Sequence, residues 1–379
     1  MTLAELIAAH RLVVCVGTGG VGKTTLSAAV AIEGARQGKR VLVLTIDPAR
    51  ALARAFGFER LSATGERIPP ALLAAAGADV SGALDAAMLD QQKAWDALVA
   101  RYAPSPAIEG LILRNRFYEQ FSQRFPGSTE YVAMEEVARL SASGRYDLLV
   151  LDTPPAEHAL DFVRAPARLG RLLTREVEAW AEHPVPDGSA RRVVVSLMKA
   201  VGGRTFREVV DFFANGRFLM GAVRDRSTAA QSLLRSPATA FVLVTGAGEP
   251  FIGAARELAS ALAAEGIALK GAIANRTHPL PGSAEPELAA TRMNDLIDRL
   301  RAPHEVAEWL RTTHRRALAE AVGERTRWEG LRHALPDVGA WTAIPELDHD
   351  VCSLRDLCWL ADRLRTAEAG AADFVAHIA

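Results

Sequence analysis

An apolar run, RLVVCVG at residues 11–17, leads directly into GTGGVGKT at residues 17–24, and a segment of helical composition, 23–37, follows. The run reads as a buried parallel strand. The sequence between strand and helix matches GxxxxGK[ST] in full, the pattern of a loop that cradles phosphate groups. Glycines are needed there because main-chain N–H groups must converge where side chains would collide. The next helix points its positive dipole end at the same place. Gly19, Gly20, Val21, Gly22, Lys23, Thr24 and Thr25 are therefore the candidate phosphate contacts. Lys23 is expected to reach the β- and γ-phosphates of a nucleoside triphosphate, and the Thr24 hydroxyl to coordinate Mg²⁺.

A loop of this kind also needs a carboxylate at a nearby strand end to organise the metal. Two apolar runs end in one: RVLVLTI (40–46) at Asp47 and YDLLVLD (146–152) at Asp152. The division of labour expected is Asp152 at the Mg²⁺ and Asp47 orienting or deprotonating the attacking water. Either residue taken alone also suits a helix N-cap or turn.

Further apolar runs at 239–245, 269–275 and 339–344 read as strands, and helical patterns at 129–143, 250–265 and 353–367 lie between. Alternating strands and helices predict an α/β fold, a doubly wound and mostly parallel sheet, with ligands at the carboxyl ends of its strands. Residues 69–125 and 159–236 break the alternation and read as helical insertions on one nucleotide-binding domain spanning 1–379. A further helical region, 284–333, is dense in Arg and Glu.

The chain has 379 residues, 49% apolar and 23% charged, with a net charge of −1. Charge so close to balance gives no reason to expect nucleic acid or a membrane held by bulk electrostatics. Short basic clusters such as Arg191-Arg192 and Arg315-Arg316 read as solvated faces. Three cysteines, Cys15, Cys352 and Cys358, contain no CxxC pair and are too few for a disulfide framework. No signal peptide and no apolar stretch of about 20 residues is evident, so a cytoplasmic protein is expected.

Several collinear segments resemble the ATPase family of arsenite-pump subunits and tail-anchored-protein targeting factors, which are dimerising P-loop NTPases. GTGGVGKTT (17–25) resembles its phosphate loop, and TIDPARAL (45–52) its first switch, usually STDPAHSL. DTPPAEHALDFVRAP (152–166) resembles its second switch, DTAPTGHTLRFLxxP, and PGSTEYVAMEE (126–136) stands where the family has a PG-x-x-E segment. The resemblance implies that Asp47 positions the lytic water, that Asp152 is the Walker-B-type acid and that His158 reports the γ-phosphate. It further implies that Asn275 contacts the adenine edge and that Pro345 packs near the ring. ATP rather than GTP rests on the same resemblance, and residues 275–278, NRTH, lack the guanine-reading NKxD pattern.

Two departures narrow the expectation. The family usually has a lysine early in the loop, GKGGVGKT, which crosses the dimer to the opposing nucleotide; here that position is Thr18. Slow hydrolysis improved by a partner is expected, in a homodimer or heterodimer. Arg50 supplying the charge, or a nucleotide sensor with little turnover, are the alternatives. The zinc-binding CxxC pairs of the targeting factors are absent, so no zinc is expected, and three scattered cysteines do not suggest a thiolate site for arsenite. Phe206, Val209, Val210, Phe213, Phe218 and Met220 fall near one helical stripe. They suit either a groove for a hydrophobic client or membrane partner, or ordinary core packing.

Overall fold

The computed structural model describes residues 1–46, 51–124, 127–154, 160–165, 208, 211–212, 214–278 and 286–365. Eight strands form one sheet: β1 (Leu12–Gly17), β2 (Arg40–Thr45), β3 (Glu66–Arg67), β4 (Ala83–Met88), β5 (Leu148–Asp152), β6 (Thr239–Thr245), β7 (Leu269–Thr277) and β8 (Ala340–Pro345). Their order is β3-β4-β2-β5-β1-β6-β7-β8. Only the short edge strand β3 runs antiparallel. The mostly parallel α/β sheet expected from the strand–helix alternation is therefore present, and all six strands read from the sequence are in it.

Uninterrupted apolar runs such as LVVCVG are needed because both faces of the sheet are covered. On one face Val13 and Cys15 of β1, with Val41, Val43, Leu148 and Val150, pack against α1 (Leu3–Ala9), α2 (Lys23–Arg36) and α13 (Leu354–Arg363). On the other, Leu12, Val14 and Val16 meet α8 (Ser128–Ala142), α9 (Arg217–Leu234), α10 (Glu249–Ala264) and α12 (His304–Ala334). Each such side chain, fully buried, stabilises the fold by roughly 1.5–3 kcal/mol before chain entropy is subtracted.

The region 69–125 differs from its reading as mostly helical. It contains α4 (Pro70–Ala75), α5 (Gln91–Tyr102), α6 (Pro106–Leu113) and α7 (Arg116–Arg124), but also β4, which pairs in parallel with β2 inside the main sheet. Its sequence, ALDAAM, has low strand propensity and a central aspartate. Tertiary pairing overrides propensity here. Asp85 is buried, accepts a hydrogen bond from Tyr146 Oη at 2.9 Å and forms an ion pair with Arg67.

A satellite core lies beyond the sheet, where Trp95, Leu98, Ile112, Tyr118, Tyr131, Phe212 and Leu219 bring α5 to α9 together. Within the 284–333 region, α11 (Pro286–Leu300) and α12 form a helical hairpin.

Candidate functional site

Chain order sets the position of the site. From β1 the sheet is filled first towards β5 and β2, then towards β6, β7 and β8, so the carboxyl end of β1 lies at the point where strand order reverses. The glycine loop occupies that end. Gly20 and Gly22 have φ of 76° and 90°, in the left-handed region that side chains disfavour. Gly22 is the N-cap of α2 and offers no side chain to cap the helix. The first-turn amides are thus presented at a dipole end that attracts anions.

Asn275, near the end of β7, holds this loop from outside: its Nδ2 donates to the Val21 carbonyl at 2.8 Å. A Cβ on Gly22 would come within 2.4 Å of that same nitrogen. Lys23 is 7% exposed, and its Nζ donates to the Thr18 carbonyl at 2.8 Å, so the ammonium curls over the loop it belongs to. The Thr18 hydroxyl is buried and without a hydrogen-bond partner. Thr24 and Thr25 are partly buried on the first turn of α2.

Asp152 ends β5 in register with Cys15 on one side and Thr45 on the other. It is 1% exposed. Thr45 Oγ1 donates to its Oδ2 at 2.9 Å, and Ser27 Oγ, one turn beyond Thr24, donates to its Oδ1 at 3.4 Å. The next residue, Thr153, donates its hydroxyl to the Cys15 carbonyl at 2.7 Å. Neither Thr45 nor Ser27 is singled out by the sequence. Their hydroxyls meet the carboxylate only once the Thr45–Asp152 register and the α2 packing are known. Burial pushes the Cys15 thiol up to about 12, with Ser27 and Lys23 opposing and Asp152 reinforcing, so it is a protonated core thiol. Burial also raises Cys358.

The other expected residues are distributed as follows. Asp47, Arg50 and His158 lie outside the described residues. Pro345 ends β8 opposite Thr277, which donates its hydroxyl to the Ile344 carbonyl at 3.2 Å. It is therefore joined to the strand that carries Asn275. In the PG-x-x-E segment, Ser128 and Thr129 are both hydrogen-bonded to Gln91 of α5. Of the apolar stripe expected near 206–220, Phe206, Val209, Val210 and Phe213 lie outside the described residues. Phe218 packs against the satellite core.

Among the described residues no three His, Cys, Asp or Glu side chains form a group that could hold a metal ion, and no helix is long and apolar enough to cross a membrane. Beside the site, His278 follows β7 and is gripped by the buried Glu324 of α12: its backbone N donates to Oε2 at 2.8 Å, and Nδ1 lies 3.0 Å from Oε1.

A glycine loop at the switch point of a parallel sheet, with a helix after it and a buried acid on the adjoining strand, defines a P-loop nucleotide-binding α/β protein. Comparison with known families narrows this further. The model of the family described as anion-transporting ATPase matches residues 10–295, and the chain belongs to that family. It is similar to the Streptomyces coelicolor protein SCO2128, 29% identical over 269 residues, covering 71% of this chain and 63% of that one. It is similar to Rv2184c of Mycobacterium tuberculosis, 31% identical over 189 residues, with 46% and 40% covered. It also resembles ATPase GET3 of Podospora anserina, 29% identical over 159 residues, with 42% and 44% covered. The chain thus spans less than two thirds of the length of these relatives.

Proposed function

We propose that this chain binds ATP with Mg²⁺ on the loop 17–25 and hydrolyses it to ADP and phosphate. The observation that carries the reading is the buried Asp152 carboxylate, oriented by Thr45 and Ser27 beside the first turn of α2. A buried carboxylate oriented by hydroxyl donors beside the first turn of the helix suits a cation shared with bound phosphates. The uncapped end of α2 and the left-handed turn at Gly20 and Gly22 suit phosphate. Bound Mg²⁺ would neutralise phosphate charge, and Thr24 and Asp152 are the residues that would hold it. Lys23 swings from the Thr18 carbonyl to the phosphates. Asp47 orients the lytic water, and His158 responds to the γ-phosphate. Asn275 and Pro345 frame the base.

The names of relatives support the activity: GET3 is called an ATPase, and so is the family. The resemblance of the loop and switch segments to dimerising P-loop NTPases supports a nucleotide-switched dimer as the working form. A hydrophobic client or membrane partner fits the helices of the satellite core, where α6 exposes Leu111 by 50% and Leu113 by 37%. Steady-state hydrolysis by wild type and Asp47→Asn tests the chemistry. A fall of at least tenfold in the variant is expected, and equal rates remove hydrolysis from the reading.

Thr18 favours a second reading, a nucleotide sensor of low turnover or the weaker subunit of a heterodimer. A hydroxyl cannot replace a cation on a leaving phosphate, and cations supplied in trans are worth roughly 10³–10⁵ in rate. Thr18→Lys separates the two readings. A rise in kcat of tenfold or more marks a symmetric site lacking only that charge, and an unchanged rate favours the sensor or heterodimer.

A further inference from the structure

Of the ten large apolar side chains exposed among the described residues, five lie on the α11–α12 hairpin: Leu288, Leu296, Leu300, Val306 and Trp309. Among the described residues, Ala289, Leu318 and Ala321 cluster between the two helices, and Ile297 and Ala307 are buried as well.

Helical periodicity locates an exposed face on α12. Ala307, Leu318 and Ala321 share one face and are buried, the latter two in the seam cluster. On the opposite side Glu305, Trp309, Thr312 and Arg316 follow one another at i, i+4, i+7 and i+11, and all four are exposed, Trp309 by 64%. The stripe has an acid at one end, a base at the other and an indole between them. Among the described residues Glu305 and Arg316 make no ion pair within the chain, whereas Arg311 on the flank pairs with Glu308.

Such a stripe is complementary to itself when reversed. In an antiparallel pairing about a two-fold axis between residues 310 and 311, Glu305 faces Arg316 of the second copy, and Trp309 faces Thr312. The symmetry repeats each contact. We infer that the outward face of α12 is an interface with a second copy of this chain, centred on Trp309 and registered by Glu305 and Arg316. The signs of charge alternate along the hairpin, with Arg299, Arg301, Arg311 and Arg316 interspersed with Asp295, Asp298, Glu305 and Glu308. An anionic lipid surface would call for one sign instead.

The interface is tied to the candidate site. α12 has 31 residues, about 45 Å of helix. Towards its far end Glu324 grips His278 next to β7, and Arg327 donates to the Ala247 carbonyl just beyond β6 at 3.0 Å. Both anchor points follow strands adjoining the loop edge of the sheet.

Sedimentation equilibrium of the full chain without nucleotide tests the inference, so that nucleotide-driven closure does not enter. Wild type self-associates, and Trp309→Ala weakens this. Glu305→Arg or Arg316→Glu alone weakens it about tenfold or more, because each reversal sets like charges together at two places. The double variant Glu305→Arg with Arg316→Glu restores it. Circular dichroism confirms that each variant is folded. A monomeric wild type, single reversals without effect, or a double variant as weak as the singles overturns the inference. Trp309-dependent capture by phosphatidylserine vesicles with unchanged self-association overturns it in favour of a membrane.

Discussion

The side-chain amide of Asn275 donates to the main-chain carbonyl of Val21 at 2.8 Å, joining the end of β7 to the middle of the glycine loop. The contact fixes the loop from the side opposite Asp152. Strand ends therefore flank the loop on both sides: β7 through the Asn275 side chain, and β5 through the Asp152 carboxylate, which accepts from Ser27 of α2. Pre-organisation of this kind lowers the ordering cost when a ligand binds.

Asn275→Ala removes the clamp, worth about 1 kcal/mol for one hydrogen bond to a neutral acceptor. Affinity for Mg²⁺–ATP should fall about fivefold by isothermal titration, with little change in melting temperature. Asn275→Asp should be worse, because a carboxylate facing the Val21 carbonyl repels where the amide attracted.

Gly20 and Gly22 both have left-handed φ, but only Gly22 is crowded. A Cβ on Gly20 meets nothing within 4 Å, whereas one on Gly22 comes within 2.4 Å of Asn275 Nδ2. Each alanine variant should lose about 1–3 kcal/mol through backbone strain. Gly22→Ala should lose more, and Asn275→Ala should relieve part of the excess. A double-mutant cycle on unfolding midpoints checks this, with positive coupling expected for Gly22 and none for Gly20.

Thr45→Val keeps the shape of the side chain and deletes a donor to Asp152. Leaving a buried charged acceptor short of a partner costs about 1–3 kcal/mol, so thermal stability should drop. Mg²⁺-dependent nucleotide affinity should weaken about tenfold, because the carboxylate is no longer held in one orientation. Affinity for ATP with the metal chelated should change far less. Equal losses with and without Mg²⁺ would place Thr45 outside the metal site.

His278 gives a pH-dependent contact at the base of α12. Burial pulls its pKa down, but the hydrogen bond to Glu324 and the charges of Glu324, Glu320 and Glu346 outweigh it, and the net shift is upward. A raised pKa means that the pair stabilises fully below the unfolded value of about 6.5 and loses that stabilisation as pH rises through the folded value. The melting-temperature difference between wild type and Glu324→Gln should therefore be largest below the unfolded value of about 6.5 and shrink as pH rises beyond it. A difference that grows with pH would contradict the assignment.

Much of this was legible in the sequence because parallel strands buried on both faces must be largely apolar; β1, β2, β5 and β6 are so between their end residues, and β7 and β8 keep apolar cores around Lys270 and Thr342. β4 was not legible. Three alanines and Asp85 read as helix, and only pairing with β2 and the Tyr146 hydroxyl make that segment a strand. The loop was legible because its glycines and Lys23 are adjacent in sequence. The partners of Asp152 were not, since Ser27 and Thr45 lie 125 and 107 positions from it. Asn275 was read as a contact for the base, and the structure adds a brace on Val21 that no spacing rule reveals.

The central claim is that the loop closed by Lys23 binds a magnesium nucleotide. Isothermal titration of ATP into the folded chain, with Mg²⁺ and with chelator, tests it most directly. The account predicts one site per chain, tighter with Mg²⁺, lost in Lys23→Ala and weakened in Asp152→Asn. Folded wild-type protein that takes up no ATP in the presence of Mg²⁺ would contradict it.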